Sequence, residues 1–279
     1  MTERELQKVC RNLKLSSNGV WSTSSRQSEV HYPDFRHTVN AELEDESFWF
    51  SHRRECLLAI MSRFPPNGPL FDIGGGNGSL AIAFQSVGIS TVLIEPTAVG
   101  VESARARGVR TIIHADFEGL DLEPHSLSAV GMFDVLEHIA DDAGVLRRLS
   151  SQMVNKGRLY LTVPAHRLLW SVEDDTAGHQ RRYSLAKLES LVESGGFCIE
   201  YSSYFFSFLP LPVFLFRTVP SWLGLREGGE NATYRREIAV RYDAVHPLLR
   251  ALLKRELSAV QTGKKLFFGS SCVICARRS

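Results

Sequence analysis

An excess of charge is the first thing this chain lacks. Across 279 residues, 32 Lys and Arg face 31 Asp and Glu, a formal net charge of +1. Near-neutrality removes the field on which non-specific nucleic-acid binding depends. Cysteine is sparse as well: Cys10, Cys56, Cys198, Cys272 and Cys275 are odd in number and scattered, without the density of a disulfide scaffold. The Cys272/Cys275 pair lies in a segment that reads as a buried strand, where residues three apart point to opposite faces. The longest apolar stretch, 204–216, is broken by Pro210 and Pro212 and falls short of the ~20 residues a bilayer demands. Residues 1–8 are charged, which argues against a secretory leader and makes the cytoplasm the expected compartment. The nine histidines show no metal-site spacing, so no metal is expected. What remains, 44% hydrophobic and 23% charged residues, is too apolar for disorder and suits a packed domain with an added lobe, or two small domains.

Residues 1–40 are polar, with a Ser-rich run from Leu15 to Ser28, and are expected to be irregular. From Ala41 the pattern turns helical: Phe48, Trp49, Arg53, Leu57, Leu58 and Met61 recur at helical spacings until Pro65-Pro66 stops them. Strands and helices then alternate. Short apolar strands are predicted at 70–73, 91–94, 110–113, 129–133, 158–163 and 197–202, with a last one at 272–276. Such alternation specifies right-handed crossovers and a largely parallel sheet with helices on both faces. Pro247 to Leu257 reads as an amphipathic helix presenting Leu248, Leu249, Leu252 and Leu253 on one face. In sheets of this kind ligands bind beyond the carboxyl ends of the strands.

Chemistry-bearing residues follow each strand. After the first come Asp72 and then Gly74, Gly76 and Gly78, a loop that lets a ligand approach the backbone and a helix N-terminus. Its G-x-G-x-G spacing differs from the G-x-G-x-x-G of nicotinamide binders, and Asp72 would sit badly beside a pyrophosphate. After the second strand, Glu95-Pro96 places a carboxylate about 20 residues on, where it accepts from a ribose diol. After the third, Asp116-Phe117 offers a carboxylate to an exocyclic amine and a ring to a base.

Phe71-Asp-Ile-Gly-Gly-Gly-Asn-Gly78, Val92-Leu-Ile-Glu-Pro96, His114-Ala-Asp-Phe117, Phe133-Asp-Val-Leu-Glu-His138 and Gly157-Arg-Leu-Tyr-Leu-Thr-Val-Pro164 resemble, in order, the motifs of class I S-adenosylmethionine-dependent methyltransferases. The resemblance implies an α/β fold, a Rossmann-like seven-stranded, mostly parallel sheet whose last strand is antiparallel. It places a helical cap within 1–64, a cofactor-binding core at 65–203 plus 264–279, and an apolar helical insertion or lid at 204–263. It also implies Gly74, Gly76 and Gly78 against the methionine part of S-adenosylmethionine, Asp72 near the ammonium, Glu95 with Pro96 at the ribose, Asp116 and Phe117 at the adenine, and Asp134 at the cofactor end of the fourth strand. The stretch 163–184 resembles a bacterial subgroup acting on small molecules, sugars or lipid intermediates.

Methyl transfer to a hydroxyl is helped by a general base, and histidine titrates in the useful range. His179 is the first choice, with Asp174 orienting it and His166 as a second imidazole; Trp170, Arg182 and Tyr183 are expected to line the acceptor pocket. A purely structural role for His179 and Arg182 stands beside that reading, and His138 reads as structural or cofactor-proximal. The apolar stretch 204–224, with Trp222 and arginines beyond it, reads as a roof over the pocket or as a peripheral contact with a membrane carrying a lipid-linked acceptor. Rival functions are a non-catalytic S-adenosylmethionine-binding regulator and a nicotinamide-dependent oxidoreductase.

Overall fold

The structure, a computed structural model, describes residues 1–23, 33–226, 234–235, 238–241 and 243–279. Its strands are β1 (Leu13–Leu15), β2 (Trp21–Thr23), β3 (Leu70–Ile73), β4 (Thr91–Glu95), β5 (Ile112–His114), β6 (Leu127–Phe133), β7 (Met153–Pro164), β8 (Phe197–Phe205) and β9 (Ser271–Arg278). The helices, in chain order, are α1 (Glu3–Val9), α2 (Asp34–Leu43), α3 (Phe48–Arg63), α4 (Ser79–Ser86), α5 (Ala98–Ala106), α6 (Asp142–Gln152), α7 (Val172–Ala177), α8 (Leu185–Ser194), α9 (Pro210–Val213), α10 (Val219–Trp222) and α11 (Pro247–Thr262).

The strands form one sheet in the order β1-β2-β5-β4-β3-β6-β7-β9-β8. The seven expected strands are all present. β3 to β7 run parallel, and β9 enters antiparallel between β7 and β8. β3 and β4 are buried along their whole length, as strands covered by helices on both faces must be, which is why they read as unbroken apolar runs rather than alternating ones. The order reverses between β3 and β6, and that switch point opens the crevice in which ligands bind. Cys272 and Cys275 are buried free thiols packed into different core clusters, as their strand spacing requires.

The amino-terminal stretch is more ordered than its composition suggests. β1 and β2 form a hairpin whose second strand pairs parallel with β5, so the sheet has nine strands rather than seven. Leu6, Cys10, Leu13 and Trp21 lie in the main core. The hairpin turns at Asn18-Gly19, where Gly19 has φ +82°; this is a known hairpin dipeptide flanked by strands too short to show alternation. Part of the Ser-rich run, 24–28, lies outside the described residues.

The segment after β8 also differs. β8 continues to Phe205, so the sheet takes the first residues assigned to the insertion. On α11 the buried stripe is Leu253, Glu256 and Val260, whereas Leu248 is 66% and Leu252 40% exposed. The face chosen from leucines alone is therefore rotated, because the most buried contact on this helix includes an acid. Among the described residues no helix is long and apolar enough to cross a membrane.

Candidate cofactor and acceptor site

Asp72 interrupts an otherwise apolar buried strand. Its side chain is buried and neither carboxylate oxygen has a partner within the protein. Burial pushes its carboxyl up to about 7; nearby Arg53 opposes the rise and Glu95 adds to it. A buried acid left this way costs stability unless something cationic meets it. A Cβ on Gly75 would come within 2.8 Å of the Asp72 carboxylate, and one on Gly78, which has φ +76°, would strike Val109 and Ala104. At these two positions there is room only for backbone.

Glu95, also buried, accepts hydrogen bonds from the Gly76 amide (2.9 Å), the Thr97 amide (2.9 Å) and the Thr97 hydroxyl (2.5 Å). It clamps the glycine loop to the end of β4, where Pro96 starts the turn into α5. Asp116 caps the turn after β5, accepting from the Glu118 amide. The expectation for Phe117 needs correcting in part: its ring is 6% exposed, sits in the main core and lies under the Arg148 guanidinium. The ring is therefore spent on packing.

Asp134, just after β6, has φ +58° and pairs with Arg53 of α3 at 2.7 Å while accepting from the Thr162 hydroxyl at 3.0 Å. Arg53 also lies over the Trp49 ring. Three residues on, Glu137 is fully buried and neither of its oxygens has a partner. Burial, with Asp134 adding to it, holds that carboxyl well above the usual carboxylate range.

The acceptor-side residues divide into two groups. Asp174 accepts from His179 Nδ1 at 2.8 Å and from Arg182 at 2.7 and 3.0 Å, and its Oδ2 caps α7 through the Ser171 amide. Burial alone would raise its pKa, but the His179 and Arg182 bonds and the Arg182 charge outweigh that and bring it to about 2. Gly178, at φ +78°, ends α7 and turns the chain so that His179 meets this carboxylate. The His179 ring meets His138 edge-on at 4.9 Å, and burial followed by that neighbour lowers the His138 pKa to about 4. His166 goes elsewhere: its ring stacks on Tyr204 at 4.9 Å and packs against Phe268.

Two of the expected pocket-lining residues have partners inside the protein. Tyr183 is 5% exposed within the main core and donates its hydroxyl to Asp142. Arg182 spends its fork on Asp174 and the Ala165 carbonyl. Trp170 remains half-buried, donating to Asp175.

Residues 48–202 match the model of a family described as methyltransferase domain. The chain belongs to the class I S-adenosylmethionine-dependent methyltransferases. It is 26% identical over 160 residues to a probable S-adenosylmethionine-dependent methyltransferase of Mycobacterium tuberculosis, covering 56% of this chain and 58% of that one. It is 26% identical over 103 residues to a ubiquinone biosynthesis O-methyltransferase of Xanthomonas campestris, 35% of this chain and 43% of that one. The chain thus spans between two fifths and three fifths of the length of these curated relatives. Among solved structures, a Haemonchus contortus phosphoethanolamine N-methyltransferase in complex with S-adenosylmethionine has the same fold, with a TM-score of 0.55, 18% identity, and coverage of 90% of this chain and 58% of that one. The cyclase SpnF does too, with a TM-score of 0.57, 17% identity, and coverage of 88% and 93%.

The residues at this rim fit the cofactor. The orphaned Asp72 carboxylate beside a glycine loop with no room for side chains suits an ammonium, and Glu95 keeps lone pairs for a diol. Two participants were missed in the sequence. His37 of α2 reaches the same loop, with Nδ1 3.2 Å from Asn77 and Nε2 3.1 Å from the Thr97 hydroxyl. Arg53 of α3 bridges to Asp134. Neither has a local signal, because α2 and α3 lie before the glycine loop in the chain and meet it only in the fold.

Proposed function

We propose that this chain transfers a methyl group from S-adenosylmethionine to an oxygen of a small molecule or of a saccharide or lipid intermediate. The observation that carries the reading is the Asp174–His179 pair: donation from Nδ1 to a carboxylate fixes the tautomer with its lone pair on Nε2, at the same rim of the sheet as the Asp72 loop. The cofactor, when bound, supplies a methyl group already activated on sulfur, so the protein's work is alignment, water exclusion and acceptor deprotonation. Asp72 holds the ammonium, Glu95 the ribose diol and Asp116 the exocyclic amine. Acceptor activation centres on His179, which Asp174 and Arg182 keep in register. His179→Ala is expected to leave the affinity for S-adenosylhomocysteine within about threefold while cutting turnover by about 10²–10⁴, read with isotopically labelled methyl donor on an acceptor found by metabolite screening. Undiminished turnover would remove His179 from the reaction.

The surface around this rim supports a lipid-associated acceptor. Leu168, Leu215, Phe216, Trp222, Phe267 and Phe268 are all exposed, Phe267 at 90%. They form one band: Phe268 meets His166, the Arg167–Leu169 turn touches the Phe214–Thr218 turn, and Phe214 meets Trp222. Exposed Arg167, Lys264 and Lys265 border it. An apolar band rimmed by cations suits an anionic lipid surface, with the acceptor drawn from it. The protein is expected to float with phosphatidylglycerol vesicles and to lose this with Phe216→Asp/Trp222→Asp; recovery in the pellet without lipid enrichment would leave a soluble acceptor.

A further inference from the structure

Two clusters of candidate metal-ligating side chains stand out among the described residues: His52, Cys56 and Glu256, and Glu137, His138 and His179. In the first, the carboxylate is already saturated, accepting from His52, the Phe206 amide, and the Ser207 amide and hydroxyl. That cluster is a closed structural knot. The second differs at every point.

Glu137, His138 and His179 each offer one ligand atom, and these atoms lie within 4.8 Å of one another. The Glu137 carboxylate is 0% exposed and both its oxygens lack protein partners. One imidazole is held through one ring nitrogen, His179 donating Nδ1–H to Asp174 at 2.8 Å, and the His138 ring lies edge-on against it at 4.9 Å. An imidazole pinned at one nitrogen by a carboxylate or a backbone carbonyl presents the lone pair of the other, which is how proteins orient histidines toward metal ions. The backbone supports this aim. Gly178 turns the chain into His179 at the end of α7, and the Gln180 amide bonds the Glu137 carbonyl at 2.7 Å, tying the two ligand-bearing loops together.

We propose that Glu137, His138 and His179 form a binding site for a single divalent transition-metal cation. Two imidazoles and one carboxylate suit zinc, iron(II), cobalt(II) or manganese(II), and three protein ligands leave a position for water or an acceptor oxygen. The inference rests on the methyltransferase reading for its purpose: an ion at this rim would bind an acceptor hydroxyl and lower its pKa, making His179 a ligand rather than the base itself. The binding site stands on its own geometry.

The test uses the full chain, stripped with chelator and free of cofactor, titrated with Co²⁺ and, separately, Zn²⁺. The expected result is one equivalent bound, visible ligand-field absorption for Co²⁺, and a raised melting temperature. Glu137→Gln and His179→Gln should each lower affinity at least tenfold and change the spectrum, with S-adenosylhomocysteine binding retained as evidence of folding. No stoichiometric binding, or binding undiminished in both variants, overturns the proposal. A chain that binds no cation but loses turnover on His179→Ala would discard the ion and keep His179 as the direct base. A chain that binds Co²⁺ but not S-adenosylhomocysteine would keep the site and discard the methyltransferase reading.

Discussion

Asp72→Asn is expected to make the cofactor-free protein more stable and the cofactor at least 100-fold weaker in binding. The carboxyl of Asp72 is buried, unpartnered and pushed up to about 7. For an acid whose folded pKa lies above its unfolded value, ionisation is penalised in the fold. The penalty is absent below the unfolded value near 4 and complete above about 7. Replacing the carboxylate with an amide removes that penalty, less the amide's own desolvation, for a net gain of about 1–3 kcal/mol at pH 8.5 and none at pH 5. Melting curves of both proteins at the two pH values check the sign. The cofactor ammonium compensates the same charge, so wild-type affinity should fall by up to about tenfold per pH unit below 7, as binding then requires deprotonation. Calorimetric titration with S-adenosylhomocysteine between pH 5.5 and 7.5 should show this dependence, and Asp72→Asn should abolish it. An affinity flat with pH in the wild type would place the ammonium elsewhere.

Glu256→Ala should be among the most damaging single changes in the chain. The side chain is 2% exposed on α11 and accepts from His52 Nε2 at 2.8 Å, the Phe206 amide at 2.6 Å, and the Ser207 amide and hydroxyl at 2.8 and 2.7 Å. It thereby fastens α3 and α11 to the start of the segment that follows β8, where Phe206 is held at φ +55°. Truncation leaves several buried donors without an acceptor, a loss of about 3–5 kcal/mol, which for a chain of this size is roughly a 10 °C fall in melting temperature. Glu256→Gln should fall between the two, since it keeps an acceptor oxygen. Burial would raise this carboxyl's pKa, but the His52 and Ser207 bonds prevail and lower it. Its stabilisation is therefore full above the ordinary glutamate range and lost as pH falls through the lower folded value, so wild type and Glu256→Ala should converge in stability in acid. Urea unfolding at pH 7 and pH 3, with limited proteolysis in 206–226, checks both points; equal stability at pH 7 would show that the knot is idle.

The gathering of the candidate cofactor-side residues at one rim of the sheet was legible because its signals are local. Asp72, the glycines, Glu95 and Asp116 each lie within a few residues of a strand end, and a parallel sheet brings strand ends together wherever its strands alternate with helices. Phe117 shows the limit of that logic: the motif put the residue at a strand end, but packing under Arg148 turned its ring into the core. The acceptor half was read less well. Asp174 does orient His179, yet Arg182 and Tyr183, adjacent to a promising loop, are spent on holding the loop itself. Whether a polar side chain faces a pocket or a partner depends on what lies across from it, and sequence spacing does not record that.

Composition, alternating apolar runs and motif order were enough by themselves to determine a doubly covered parallel sheet and the rim where its ligands bind, because both follow from short-range periodicity and from the chirality of crossover connections. The tertiary structure alone decided that the amino-terminal stretch adds a hairpin to the sheet, that His37 and Arg53 reach the rim of the glycine loop, that Glu256 rather than a leucine anchors α11, and that Glu137 lies buried without a partner beside the imidazoles of His138 and His179. Those outcomes depend on contacts between residues up to about 200 positions apart, whose energies come from desolvation and pairing, and these exist only once the chain has folded.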